Sequence, residues 1–338
     1  MILKKNTPTV FLKRLFACAL PFLFLLILYI ALDPFNIIRG LESPGDLHWN
    51  RDIISSRIFL KNNPKYHFKS FIFGSSRSLA FQCKDWGPYV DDTTPFHFDA
   101  WKENLFGIYT KIRYIDSIGN PLENVLIISD PETYNLTQDK SFGDIKDYKI
   151  TGTPTLDFQL EFLKSFYSDF FFIRYIDYRL FKTYRPYMET YIPSKEQYFS
   201  YDEITNDPHF LTTVMQEIAS DSIRFYKRPM FYTRKNETVI SPACLTSKEI
   251  SVLKEIKKIF DKHKTNYKIV LSPLYSLEYF NPADEIILKQ IFGSDNVFNF
   301  SGKNSITNQV GNYYDYSHYK IYIGQRILKA IYKGEKIF

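Results

Sequence analysis

The chain has 338 residues, long enough for one large domain or two small ones. Apolar residues make up 45% and charged residues 24%, a globular rather than a disordered balance. The net charge of +6 is spread out, without a basic stripe interleaved with aromatics, so nucleic acid is excluded as the expected partner. The 26 Tyr and 31 Phe provide large area to bury in a core or to set at an interface.

In chain order, Lys4, Lys5, Lys13 and Arg14 precede an uncharged apolar run from Leu15 to Leu32. At ~1.5 Å per residue this run spans about 27 Å, close to the thickness of a bilayer core. The basic flank, residues 1–14, places the N-terminus in the cytoplasm and everything after Asp33 outside it. The run is longer than the apolar part of a signal peptide and ends Ala31-Leu32-Asp33-Pro34, a poor cleavage site. An uncleaved single-pass anchor over 15–32, in the cell (inner or cytoplasmic) membrane, is therefore expected. Residues 33–65, with Pro34, Pro44, Gly45 and Pro64, read as a linker holding one short helical piece over Ile53–Leu60. His48 and Trp49 read as packing residues.

The stretch Phe68–Ser78, FKSFIFGSSRS, reads as an apolar strand running into Gly74 and then Ser75, Ser76 and Arg77. A strand that stops at glycine and continues into a helix lifts the next side chain above the sheet edge, where free N–H groups also point. A serine so placed is a nucleophile when a base reaches it; otherwise Ser75 and Ser76 cap the following helix, expected to start at Ser78. Phe96–Ala100 alternates like a strand, and Leu105, Ile108, Ile112 and Ile115 predict an amphipathic helix over Lys102–Ser117. Val125–Ser129 is a continuous apolar run of the parallel-sheet type. Gly74–Ser76, Asp99–Asn104 and Asp130–Asn135 thus all fall at the carboxyl ends of strands, where doubly wound sheets bind ligands.

Leu136–Cys244 breaks this alternation, and an insertion is expected over 136–245. Within it Leu156–Tyr187 is rich in aromatics with interleaved Arg and Lys. Its plainest reading is a helix burying one aromatic face in the core; a lid over the site and an element resting on a membrane surface are the alternatives. Residues 194–236 read as polar loop, and His209 there has no carboxylate at metal-ligand spacing. Thr246 and Glu249 form a capping box ahead of an amphipathic helix. Tyr267–Leu271 and Val297–Phe300 read as strands, with a helix between them from Asn281-Pro282 to Phe292, stopped by Gly293. The last stretch, Tyr313–Tyr319, supplies Asp315 and His318, three apart, with an apolar helical run behind them. At that spacing the carboxylate can hold one imidazole nitrogen while the other faces a serine; otherwise the pair caps or anchors the last helix. The three cysteines show no metal spacing, and no metal or cofactor is expected. Cys83 and Cys244 are either one disulfide or two buried thiols.

A strand-Gly-x-Ser near the start of the domain and Asp-x-x-His near its end resemble the SGNH/GDSL hydrolase superfamily. Gly74-Ser75-Ser76 stands where that family has Gly-Asp-Ser, so Ser76 matches the nucleophile. Asp315-Tyr316-Ser317-His318 matches the closing block. The Gly-Ser-Ser variant and the anchor resemble a membrane-anchored branch, the alginate O-acetylation accessory proteins and the teichoic acid D-alanyl transfer protein. The likeness covers about Phe68–Leu136 and Thr246–Ile331.

It implies a three-layer doubly wound α/β fold over 66–338, with a mainly parallel sheet and a mostly helical insertion. It also implies a Ser76–His318–Asp315 triad, with oxyanion or substrate contacts among Ser75, Arg77, Asn104 and Asn135, Asn104 having helix capping as its plainer role. Trp101 and Lys102 stand where the family has a small residue, and the third-strand loop lacks Gly-x-Asn-Asp. The implied function is a serine esterase or O-acyltransferase acting on acyl esters of a cell-envelope glycan, with a multi-spanning acyltransferase as a possible partner. The alternative is an inactive scaffold of the same fold that binds glycan or an envelope complex.

Overall fold

The computed structural model describes residues 8–39, 50–136, 143–168, 171–188, 200–209, 212–234 and 237–336. Lys4, Lys5, His48, Trp49 and the side chain of His209 lie outside the described part. The chain divides into two compact units, Met1–Trp49 with Thr155–Ser194, and Asn50–Pro154 with Lys195–Phe338.

The first unit contains α1 (Pro8–Leu32), a helix long and apolar enough to cross a membrane. It ends at Asp33, whose carboxylate accepts the main-chain N–H groups of Ile37, Ile38 and Arg39.

The second unit opens with α2 (Arg51–Tyr66), capped by the Asn50 side chain on the Ile53 N–H. The helical piece expected over Ile53–Leu60 within the linker runs over the whole of Arg51–Tyr66, its first residues being buried partners rather than solvated ones. Arg51 and Asp52 are almost fully enclosed, and Phe59 on the same helix sits in the core.

The sheet consists of β1 (Ser70–Gly74), β2 (Phe96–His97), β3 (Asn124–Ser129), β6 (Asn266–Leu271) and β7 (Val297–Asn299). Its order is β2-β1-β3-β6-β7 and every pair in it is parallel. A separate antiparallel pair, β4 (Ser200–Tyr201) and β5 (Pro208–His209), belongs to the insertion, as do α5 (Tyr148–Thr151), α8 (Thr212–Ser220) and α9 (Ser222–Tyr226). The main strands are apolar on both faces because both are covered. Phe71, Phe73, Val125 and Ile127 pack with α4 (Leu105–Ser117), α10 (Ser247–His263) and α11 (Pro282–Phe292). Ile72, Leu126, Ile128 and Val270 pack on the other side with α3 (Cys83–Val90) and α12 (Ile321–Lys333). The fold is therefore α/β, with helices on both sides of a five-stranded all-parallel sheet.

Three expected boundaries move for local reasons. The helix predicted from Lys102 starts at Leu105, because the Asn104 side chain accepts the Gly107 N–H and stops it there. The helix predicted from Ser78 is a 3₁₀ turn over Ser76–Ala80, followed by α3. The strand predicted over Phe96–Ala100 is regular only at Phe96–His97, although the Phe98 and Ala100 N–H groups still donate to the Ile72 and Gly74 carbonyls of β1. Cys83 and Cys244 are both free thiols; Cys83 is walled in beside Asp207, while the Cys244 thiol contacts the Asp284 carboxylate.

From β1 the chain passes to β2 on one side and then to β3 on the other. That reversal opens a crevice beyond the carboxyl ends of β1 and β3.

Candidate active site

Ser76 is the first residue of the turn that follows β1, with Ser75 as its cap. Gly74 makes this turn possible. A Cβ there would meet the Ile128 carbonyl oxygen at 2.7 Å and Ser78 Cβ at 2.9 Å. Gly74→Ala should therefore push β1 and β3 apart and destabilise the unit by about 1–3 kcal/mol, measurable as a lowered urea midpoint. A midpoint equal to wild type would show that the strands have room to spare.

His318 Nε2 lies 2.7 Å from Ser76 Oγ, although the two residues are 242 positions apart. His318 Nδ1 lies 2.8 Å from Asp315 Oδ2 and 3.0 Å from Oδ1. A carboxylate only accepts, so Nδ1 carries the proton and Nε2 of the neutral ring is left to accept from the Ser76 hydroxyl. Asp315 also holds its own turn together, taking the N–H groups of Ser317 at 2.6 Å and His318 at 2.8 Å. Burial pushes the Asp315 carboxyl pKa up, but His318 and these two N–H groups outweigh it, and the net shift is downward. The Tyr314 ring lies parallel to the His318 imidazole, with centroids 5.7 Å apart. Behind the turn, Gly324 lets α12 approach closely; a Cβ there would lie 2.1 Å from the Ala80 carbonyl oxygen. The last helix is thereby seated on the turn that carries Ser76.

Arg77 fastens three loops together. Its guanidinium donates to Asp130 Oδ2 at 2.6 Å, in the loop after β3, and to Ser317 Oγ at 3.3 Å, beside His318. Burial alone would lower its pKa, but Asp130 and Glu132 reverse this, and the net shift is upward. Asp130 in turn caps the 3₁₀ turn Pro131–Tyr134 through the N–H groups of Glu132 and Thr133.

Ser76, His318, Arg77, Asn135, Lys102 and Glu132 are among the residues lining a cavity of about 590 Å³, a usual size for a small-molecule site. Of the sequence candidates, Ser75 and Asn104 also face it, each with its side-chain oxygen engaged in capping. Lys102 has φ +49°, the left-handed conformation that glycine adopts most readily. The loop after β2 thus takes a glycine-like turn with a lysine in it.

Beneath the Ser76 turn lies a buried polar network that the sequence reading missed. Ser78 Oγ donates to the Ser75 carbonyl oxygen at 2.8 Å and stands 2.9 Å from His97 Nε2. His97 Nδ1 is 3.0 Å from Asp207 Oδ1, and Asp207 Oδ2 accepts the Cys83 N–H at 2.7 Å. The neighbouring Asn206 binds Arg51, which also forms a two-pronged pair with Asp99 at 2.9 and 2.7 Å. A histidine inside the apolar run Phe96–Ala100 was the available signal; Asn206 and Asp207, in a polar stretch, gave none. Cys83, His97 and Asp207 are also close enough to share a metal ion. Their donor atoms are already hydrogen-bonded, however, and burial followed by the Asp207 charge pushes the Cys83 thiol well up, away from the thiolate a metal needs.

Among the described residues, the arrangement joins a hydroxyl, an imidazole and a carboxylate in one line at the mouth of a cavity, on the turn where doubly wound sheets bind ligands. Comparison with protein-family models, with curated proteins and with solved structures gives no match for this chain.

Proposed function

We propose that this chain is a membrane-anchored serine esterase or O-acyltransferase of the SGNH type, acting outside the cytoplasm on acyl esters of a cell-envelope glycan. The observation that carries the reading is the 2.7 Å approach of His318 Nε2 to Ser76 Oγ, with Nδ1 held by Asp315. In the first step Ser76 Oγ attacks the acyl carbonyl while His318 takes its proton. The carbonyl electron pair moves onto oxygen, and the Ser76 N–H, at the head of its turn, faces that charge. Collapse expels the alcohol, which recovers the proton from His318 and leaves an acyl group on Ser76. In the second half water (hydrolysis) or a glycan hydroxyl (transfer) attacks the acyl carbon as His318 takes its proton. Collapse then breaks the acyl–Oγ bond while His318 returns that proton to Ser76. Asn135 is the side chain proposed to add a second oxyanion contact, and the Lys102 turn supplies backbone where the resembled family has a small residue. The apolar α1 and the resemblance to the acetylation accessory proteins support the envelope setting, with a multi-spanning acyltransferase as the proposed partner.

The test is a fluorophosphonate probe on the purified full chain, with the adduct located by peptide mass spectrometry. A single adduct on Ser76, absent from Ser76→Ala, is expected. Folded protein that takes no label would mark the chain as a non-enzymatic scaffold.

A further inference from the structure

The first unit joins α1 to two helices that lie far along the chain, α6 (Thr155–Tyr167) and α7 (Phe171–Phe181). Their aromatic face is buried, as the sequence suggested, but against the N-terminal helix and the turn after it. Phe35 stacks on Phe171 with ring centroids 5.3 Å apart and meets Phe162 at 5.1 Å, while Tyr29 meets Phe166 at 5.6 Å. The Tyr167 hydroxyl donates to the main-chain carbonyl of Leu25 at 2.6 Å.

This last contact fixes a depth. Leu25 lies seven residues before the end of α1, about 10 Å along the axis at ~1.5 Å per residue. The end itself is marked by polar groups, since Asp33 ties down the next turn and the Arg39 guanidinium donates to the Ala31 carbonyl at 2.7 Å. An element touching Leu25 beside a membrane-spanning α1 is therefore set into the hydrocarbon, where a tyrosine hydroxyl needs a protein acceptor such as this one.

The outer faces of both helices fit that position. Opposite the buried Phe158, Phe162 and Phe166, helix α6 exposes Leu156 (69%) and Leu160 (40%). Helix α7 exposes Ile173 (55%), Leu180 (70%) and Phe181 (63%), matching the bare residues of α1 itself, such as Phe24 (64%) and Ile27 (63%). These exposed apolar side chains suit an apolar medium, on faces that also carry the exposed Asp157, Lys164 and Arg179. Lys164 pairs with Glu161, and Asp177 pairs with Arg185 just beyond α7, while long basic side chains such as Arg179 reach a headgroup layer from just below it.

We propose that α6 and α7 are embedded in the acyl-chain region of the leaflet crossed by the C-terminal third of α1, so that the protein holds the membrane by three helices. The occupant of their outer surface is lipid. The inference rests on α1 being set in a bilayer, and the experiment tests that separately. It uses the full chain with Cys18 and Cys244 replaced by serine, Cys83 being buried, reconstituted in phosphatidylethanolamine/phosphatidylglycerol vesicles. Nitroxide labels on Leu160→Cys and Leu180→Cys are compared with one on Ile27→Cys in α1 and one on the exposed Lys254→Cys. Accessibility to oxygen and to a water-soluble nickel chelate is read by electron paramagnetic resonance. The expected result is severalfold preference for oxygen at Leu160, Leu180 and Ile27, reversed at Lys254. Chelate access at Leu160 and Leu180, with Ile27 still in lipid, would overturn the proposal, as would shielding from both reagents, which would mean a second copy of the chain covers them. Chelate access at Ile27 would instead remove the premise.

Discussion

Replacing His318 with alanine is expected to slow fluorophosphonate attack at Ser76 by about 10⁴–10⁶-fold while leaving the chain folded. The hydroxyl would remain at the head of its turn, held by Ser75, Ser78 and the buried groups below, but nothing would take its proton. Asp315→Asn should act in the same direction, because an amide cannot hold Nδ1 protonated as the carboxylate does. The loss in Asp315→Asn has two sources that a single rate does not separate. Asp315 also takes the N–H groups of Ser317 and His318, so the turn itself loosens. The check is the second-order labelling rate for each variant, with circular dichroism to monitor folding. A His318→Ala rate within tenfold of wild type would mean the imidazole is a neighbour of Ser76 and not its base.

The largest stability loss is expected from Arg51→Ala. Arg51 and Asp99 are both fully buried, and the guanidinium holds the carboxylate by two hydrogen bonds while also binding the Asn206 side chain and carbonyl. Removing the cation leaves a charge in the interior without its counterpart, a change that destabilises by about 3–5 kcal/mol. For a unit of this size the melting temperature should fall by on the order of 10 °C in a thermal scan. Arg51→Lys should recover only part of this, since an ammonium cannot reproduce the two-pronged geometry. A melting temperature unchanged in Arg51→Ala would mean that the Asp99 carboxylate is satisfied without the guanidinium.

The sheet was largely legible in the residues. Phe71–Phe73, Val125–Ile128 and Ile269–Leu271 are uninterrupted apolar runs, and a strand covered on both faces has no alternative composition. The caps were legible too: Thr246 with Glu249 and Asn281 with Pro282 start their helices, and Gly293 stops one, where the short-range chemistry dictates. The Ser76–His318–Asp315 contacts could be expected because the order of elements brings both blocks to one sheet edge. What escaped was polar burial. Arg51 and Asp52 looked like a solvated linker, and Asn206-Asp207 like a surface loop, because partner choice at a distance leaves no local pattern. The docking of Phe158–Phe171 on α1 escaped for the same reason, since an aromatic face does not announce what it will cover.

The 242-position gap between Ser76 and His318 also bears on when the hydroxyl could become reactive. During synthesis the serine is made first, and the imidazole that faces it follows 242 residues later. A chain cut short anywhere before Asp315 would carry the hydroxyl with no partner, and so would a half-made one. If the pair does acyl chemistry, a growing polypeptide cannot begin it before residue 318 has been added and folded back onto the Ser76 turn.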